Sequence, residues 1–166
     1  MQIGTEQDYT FAGASYYAWY ELLPASSTPV NMTITPGDQM NASIVLDNST
    51  TNQWSITITD LTTGQQFQTS ITYMSSQLSA EWIVERPEVA HRLSTLADFG
   101  TVTFTNCAAT LGSITGTIND FPNAQLVMYQ SLINGAGLNQ LVSISDLSSD
   151  GSSFAASYEA TNTEFT

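Results

Sequence analysis

Two short stretches carry side chains suited to acid–base chemistry. The first is Ser79-Ala80-Glu81-Trp82-Ile83-Val84-Glu85-Arg86-Pro87, where Glu85 ends a strongly β-prone run. Buried apolar neighbours on such a run can desolvate a carboxyl group and tune it for general acid/base work. The second is Tyr16-Tyr17-Ala18-Trp19-Tyr20-Glu21-Leu22-Leu23-Pro24. At the two-residue period of a strand, Tyr17, Trp19 and Glu21 share one face, while Tyr16, Ala18 and Tyr20 share the other. In the first stretch Glu81, Ile83 and Glu85 fall together, opposite Trp82 and Val84. A strand face made of Tyr, Trp and Glu is either a solvated sheet face or a groove lined with aromatics. Grooves of that kind take extended polymers, peptides or sugars.

Other chemistries are poorly provided for. A serine triad needs a histidine base, and His91, the only histidine, lies in a polar stretch between Glu88 and Arg92. The paired Asp-Thr/Ser-Gly segments of pepsin-like enzymes are absent. Gly135-Ala136-Gly137-Leu138-Asn139-Gln140 lacks a third glycine and has no βαβ unit around it, so it is no dinucleotide fingerprint. Cys107 is the only cysteine, which rules out an intrachain disulfide. It sits in a strand-like run, Phe104 to Ala109, and reads as a buried structural thiol. One cysteine and one histidine cannot assemble the usual Cys/His zinc site. No metal and no cofactor are expected. A glycosidase also needs two carboxylates facing one bond, and Glu21, Glu81 and Glu85 could supply them. On the residues alone, peptide and sugar chemistry both stay open.

The charge balance narrows the partners. Of the 166 residues 15 are acidic, only Arg86 and Arg92 are basic, there is no lysine, and the net charge is −13. Nucleic acids and anionic membranes are recognised through Lys and Arg, so neither is an expected partner. The composition suits work in acid, because near the sequence pI of about 4.1 the net charge and its self-repulsion fall toward zero. No apolar run is long enough to form a membrane-spanning helix. No basic segment followed by an apolar one opens the chain, so no signal peptide is read there.

The elements that must position these residues are strands. Gln53 to Thr59 alternates, with Trp54, Ile56 and Ile58 on one face; Thr62-Thr63-Gly64-Gln65 is turn chemistry, and Phe67 to Tyr73 returns as a hairpin partner. Further strands are expected at 101–105, 126–129, 141–144 and 154–158, with turns at Pro36-Gly37-Asp38, Asp47-Asn48-Ser49, Gly112-Ser113 and Asp150-Gly151. Pro87 to Asp98 is expected to be a loop holding a short helical turn. So many evenly spaced strands imply an all-β antiparallel sandwich or barrel. Residues 1–160 are expected to form one domain, with 161–166 a flexible tail.

Four segments, in order, resemble the glutamic peptidases, or eqolisins. Tyr16 to Pro24 is similar to that family's Tyr-Asp-Ala-Trp-Tyr-Glu-Trp-Tyr-Pro. Asp60-Leu61-Thr62-Thr63-Gly64-Gln65 is similar to its Asn-Leu-Thr-Thr-Gly-Gln. Ser79 to Pro87 resembles its Asn-Ala-Glu-Trp-Ile-Val-Glu-Asp-Phe, and Leu96 to Asn106 its Phe-Ala-Asp-Phe-Gly-Thr-Val-Thr-Phe-Thr-Asn. The resemblance implies a β-sandwich of two packed, curved sheets, like the concanavalin A lectins. It also implies a secreted acid endopeptidase, insensitive to pepstatin, with a Gln/Glu catalytic dyad. Glu85 matches the catalytic Glu, and Met1-Gln2-Ile3-Gly4 matches the segment bearing the catalytic Gln, so Gln2 is its counterpart. Tyr17, Trp19, Glu21 and Glu6 would line the substrate groove. Tyr17 stands where the family carries Asp. The resemblance starts in mid-domain, so the family's earlier strands are expected to be missing. A separate N-terminal chain or an edge-strand dimer is the expected substitute, beside a protein or peptide substrate. The competing expectation is a non-catalytic, or truncated and inactive, β-sandwich that binds carbohydrate or peptide on the Tyr17 and Trp19 face.

Overall fold

The computed structural model describes residues 1–89, 91–131 and 137–159. The expected tail and part of the Gly135-Ala136-Gly137 segment lie outside these residues. The chain divides into two compact units, Met1–Leu78 and Ser79–Thr166. All pairings between described strands are antiparallel, and no α-helix occurs among the described residues.

The first unit holds two three-stranded sheets. Strands β1 (Gln2–Thr10), β2 (Gly13–Glu21) and β3 (Thr28–Thr33) form one, in the order β1-β2-β3; β4 (Met40–Asn48), β5 (Gln53–Asp60) and β6 (Gln66–Thr72) form the other, in the order β4-β5-β6. The alternation read in the sequence is the alternation of burial: Trp54, Ile56, Ile58 and Asp60 are buried and the residues between them are not. The two sheets pack through these faces. Ala18, Val30 and Met32 of the first meet Ile58 of the second, with Ile3, Tyr20, Ile34, Met40 and Phe67 around them. The rings of Tyr20 and Phe67 stack with centroids 5.8 Å apart. Each fully buried aliphatic side chain here contributes about 1.5–3 kcal/mol.

The β5–β6 connection is built on a buried carboxylate. Asp60 ends the inward-facing series of β5, and its Oδ1 accepts the amides of Thr62 at 2.8 Å and Thr63 at 3.1 Å. The Thr63 hydroxyl donates to Oδ2. Gly64 closes the turn at φ +78°, a conformation that side chains with a Cβ rarely adopt. The Thr63 hydroxyl and these two amides hold the Asp60 carboxyl below the usual carboxylate range, although burial opposes them.

Among the described residues, the second unit holds one three-stranded sheet and three hairpins. Strands β9 (Thr101–Phe104), β14 (Val142–Ile144) and β15 (Phe154–Tyr158) pair in the order β14-β15-β9. The hairpins are β7 (Glu88–Val89) with β8 (Arg92–Leu93), β10 (Ala108–Leu111) with β11 (Ile114–Thr117), and β12 (Tyr129–Ser131) with β13 (Leu138–Gln140). A 3₁₀ turn, Ile118–Asp120, follows β11. The core is Leu96, Leu141, Val142 and Ala156, with Val84, Phe99, Phe104, Met128, Ile144 and Tyr158 packed on it.

Three local expectations change. The helical turn expected within 87–98 is the β7–β8 hairpin, which pairs Glu88 with Leu93 and Val89 with Arg92 and turns through His91 at φ 63°. The strand expected through Cys107 is broken: β9 ends at Phe104, Asn106 takes φ 55°, and the buried Cys107 donates its amide to the Ser152 carbonyl. The strand expected at 126–129 begins only at Tyr129, and Leu126 is exposed.

Candidate active site

The β1–β2 register sorts the first unit's candidate residues onto one face. Gln2 pairs with Glu21, Gly4 with Trp19, Glu6 with Tyr17 and Asp8 with Ser15. The alternate pairs, Ile3 with Tyr20 and Thr5 with Ala18, point the other way, into the core between the two sheets. Gln2, Glu6, Tyr17, Trp19 and Glu21 therefore share the face turned away from that core. All five are partly buried, so the face is neither oily nor fully solvated.

Gly4 makes room at the centre of this face. The Trp19 indole leans over it, with Cζ2 3.7 Å from where a Cβ would stand. Trp19 Nε1 is buried without a hydrogen-bond partner, alone in this among buried side-chain nitrogens and oxygens of the described residues. Such orphan donors are uncommon and tend to mark strained or functional ground.

Tyr17 faces Glu6 directly and Asp8 on the diagonal. Burial pushes its phenol far above the ordinary tyrosine range, and the hydrogen bond to Glu6 and the charges of Glu6 and Asp8 push it further. The hydroxyl thus stays protonated beside two carboxylates. Asp8 escaped the sequence reading, although the period that groups Gln2, Gly4 and Glu6 extends to it.

Glu85 lies in the second unit, on a segment without ladder partners. Residues 79–87 form no strand and pair with none, so the β-prone run is not part of any sheet. The expected alternation nevertheless holds: Glu81, Ile83 and Glu85 are exposed, while Trp82, Val84 and Arg86 are partly buried. Both neighbours of Glu85 are anchored. Val84 packs on the core of the second unit. The Arg86 guanidinium donates through Nε to the Ser94 carbonyl and through Nη1 to Gln130 Oε1 at 3.4 Å. Next along the chain, the Ser94 amide donates to the Pro87 carbonyl at 3.0 Å. The Glu81 carboxylate is engaged locally, accepting the Ser79 hydroxyl at 2.8 Å. The Glu85 carboxylate has no such partner among the described residues and faces solvent on a fixed stretch of backbone. Gln2 belongs to the first compact unit and Glu85 to the second.

The first unit thus presents one half-buried face with Gln2, Glu6, Tyr17, Trp19 and Glu21, and the second holds the Glu85 carboxylate outward between two anchored neighbours. Residues 1–154 match the Peptidase A4 family, and the chain belongs to that family. It is 32% identical over 145 residues to aspergillopepsin-2 of Aspergillus niger, covering 81% of this chain and 51% of that protein. The chain thus spans about half the length of this curated relative. Its fold is similar to the crystal structure of aspergilloglutamic peptidase from Aspergillus niger, with a TM-score of 0.76 and 30% identity over 95% of this chain and 88% of that one. It is also similar to scytalido-glutamic peptidase, crystallised with a transition state analog inhibitor, with a TM-score of 0.62 and 26% identity over 87% of this chain and 70% of that one. The resemblance carried by the four segments is thereby borne out, and so is the all-β, antiparallel β-sandwich class.

Proposed function

We propose that this chain is an acid endopeptidase of the glutamic type, secreted and insensitive to pepstatin, with Gln2 and Glu85 as its catalytic dyad. In its ionised form Glu85 takes a proton from water as that water attacks a peptide carbonyl. The Gln2 side-chain amide donates a hydrogen bond to the oxygen on which negative charge develops. Protonated Glu85 then gives its proton to the leaving amine, so one carboxyl group serves as base and then as acid. Tyr17, Trp19, Glu21 and Glu6 form the wall on which an extended peptide lies.

The observation that carries this reading is the β1–β2 register, which sets Gln2 on the same outward face as the Trp19 and Glu21 of the family segment. The anchored, outward-facing Glu85 supports it from the second unit. An aromatic face alone would equally suit a binding module, and activity separates the two. A denatured protein substrate should be cut at about pH 3.5, near the ordinary carboxyl range, with pepstatin present. Glu85→Gln should abolish that cleavage, and Gln2→Ala should lower kcat by about 10²–10³, as for loss of one oxyanion donor. Full activity in Glu85→Gln would remove Glu85 from the mechanism.

A further inference from the structure

The cationic side chains are confined to one place. Arg86, His91 and Arg92 are the only side chains that can carry positive charge, and they fall within seven residues directly after Glu85. The first unit has no Lys, Arg or His at all. Their hairpin is fastened to the Glu85 segment: the Pro87–Ser94 hydrogen bond and the Arg86 contact with Ser94 extend the β7–β8 ladder to within two residues of Glu85.

Local contacts leave this charge largely uncancelled. Arg86 is held by a backbone carbonyl and an amide oxygen, both neutral. His91 Nδ1 lies 3.6 Å from Glu88 Oε1, so Glu88 offsets His91 when the imidazole is protonated. Arg92 is exposed and pairs with no carboxylate among the described residues. It sits across from Val89, four residues beyond Glu85, a span of at most about 14 Å of chain. An extended peptide advances by about 3.3 Å per residue. Toward the pI of about 4.1 the negative charge of the rest of the chain falls away, whereas a guanidinium keeps its positive charge.

We propose that the β7–β8 hairpin is a specificity element, with Arg92 its main determinant. It favours peptide substrates that carry an acidic side chain some three to five residues from the scissile bond, on the side that runs along the hairpin. This deepens the peptidase reading and rests on Glu85 marking the cleavage point.

The test is a peptide set in which one position, walked outward from the scissile bond on either side, is Gln, Lys or cysteic acid. The sulfonate of cysteic acid stays ionised at any acidic pH, so the substrate's own titration does not enter. Within the wild type, cysteic acid should raise kcat/KM about 2- to 5-fold over Gln at one or two of those positions, the size of an exposed charge pair. The gain should vanish in about 1 M salt, where the screening length is about 3 Å. Arg92→Gln should bring the ratio to one, and Arg92→Glu should invert it in favour of Lys. A ratio that survives Arg92→Gln, or no preference at any position, overturns the proposal. If the all-Gln parent is not cut, the peptidase reading fails; if it is still cut by Glu85→Gln, Glu85 does not mark the cleavage point. Fluorescence anisotropy of the same peptides on the Glu85→Gln protein then reads the hairpin without turnover. The same ratio in Kd, lost on adding Arg92→Gln, supports it, and equal affinities reject it.

Discussion

Tyr17 occupies the position where related segments carry Asp, and the cross-strand geometry gives the exchange a physical meaning. Position 17 faces Glu6 and lies diagonal to Asp8. A carboxylate there would make a third negative charge in one patch, and like charges opposed across a ladder destabilise it. The phenol instead offers a donor that burial and the two acids keep protonated. Tyr17→Asp should therefore lower Tm at pH 7. The loss should shrink as pH falls, because protonation removes the charges that repel one another. Melting curves at about pH 7 and pH 4, bracketing the ordinary carboxyl range, check this, and a loss that grew in acid would contradict it.

The elements differ sharply in how openly the sequence announces them. Strand β5 is legible because one face is wholly buried, which forces Trp54, Ile56 and Ile58 into strict alternation. The same constraint makes it sensitive. Ile58 is 1% exposed at the junction of the two sheets, and Ile58→Ala should cost about 2–5 kcal/mol, read from the midpoint of urea unfolding at unchanged slope. A cost under about 1 kcal/mol would mean that the sheets do not depend on that contact. The hairpin at 88–93 was hidden for the opposite reason. Its four paired residues are all exposed, so no burial pattern marks them, and a polar stretch with one His and one Arg reads as loop or helix. The break at Cys107 was hidden because it depends on a non-glycine residue, Asn106, adopting positive φ. Of the site, the grouping of Tyr17, Trp19 and Glu21 follows from period two alone. The assignments of Gln2 and Glu85 came from the family segments. The anchoring of Arg86 depends on Ser94 and Gln130, contacts that no local pattern encodes.

At the scale of the whole molecule, two opposing trends set the response to acid. Self-repulsion among the carboxylates weakens from pH 7 toward the pI of about 4.1, which stabilises the chain. Asp60 and Asp150 work the other way. Asp150 is held below the ordinary range first by the Ser148 hydroxyl and then by the Ser152 amide, as Asp60 is by Thr63 and its turn. A carboxyl whose folded pKa is depressed gives its full stability above the unfolded value, near 3.9, and loses it as pH falls through the lower folded value. Stability is thus expected to rise from pH 7 to about 4 and then fall, with the acid limb flatter in Asp60→Asn. A thermal melt series across that range measures it, and an acid limb as steep in the variant as in the wild type would contradict the assignment to Asp60. The confinement of positive charge to residues 86–92 also determines how the folded chain meets a tool of the bench. Trypsin cuts after Lys or Arg, but not readily before Pro, and Arg86 is followed by Pro87. The whole chain therefore offers one readily cleaved bond, Arg92–Leu93, on the second strand of the β7–β8 hairpin. Timed tryptic digestion becomes a single-site clock for the opening of that hairpin, and a bound ligand that covers it would stop the clock.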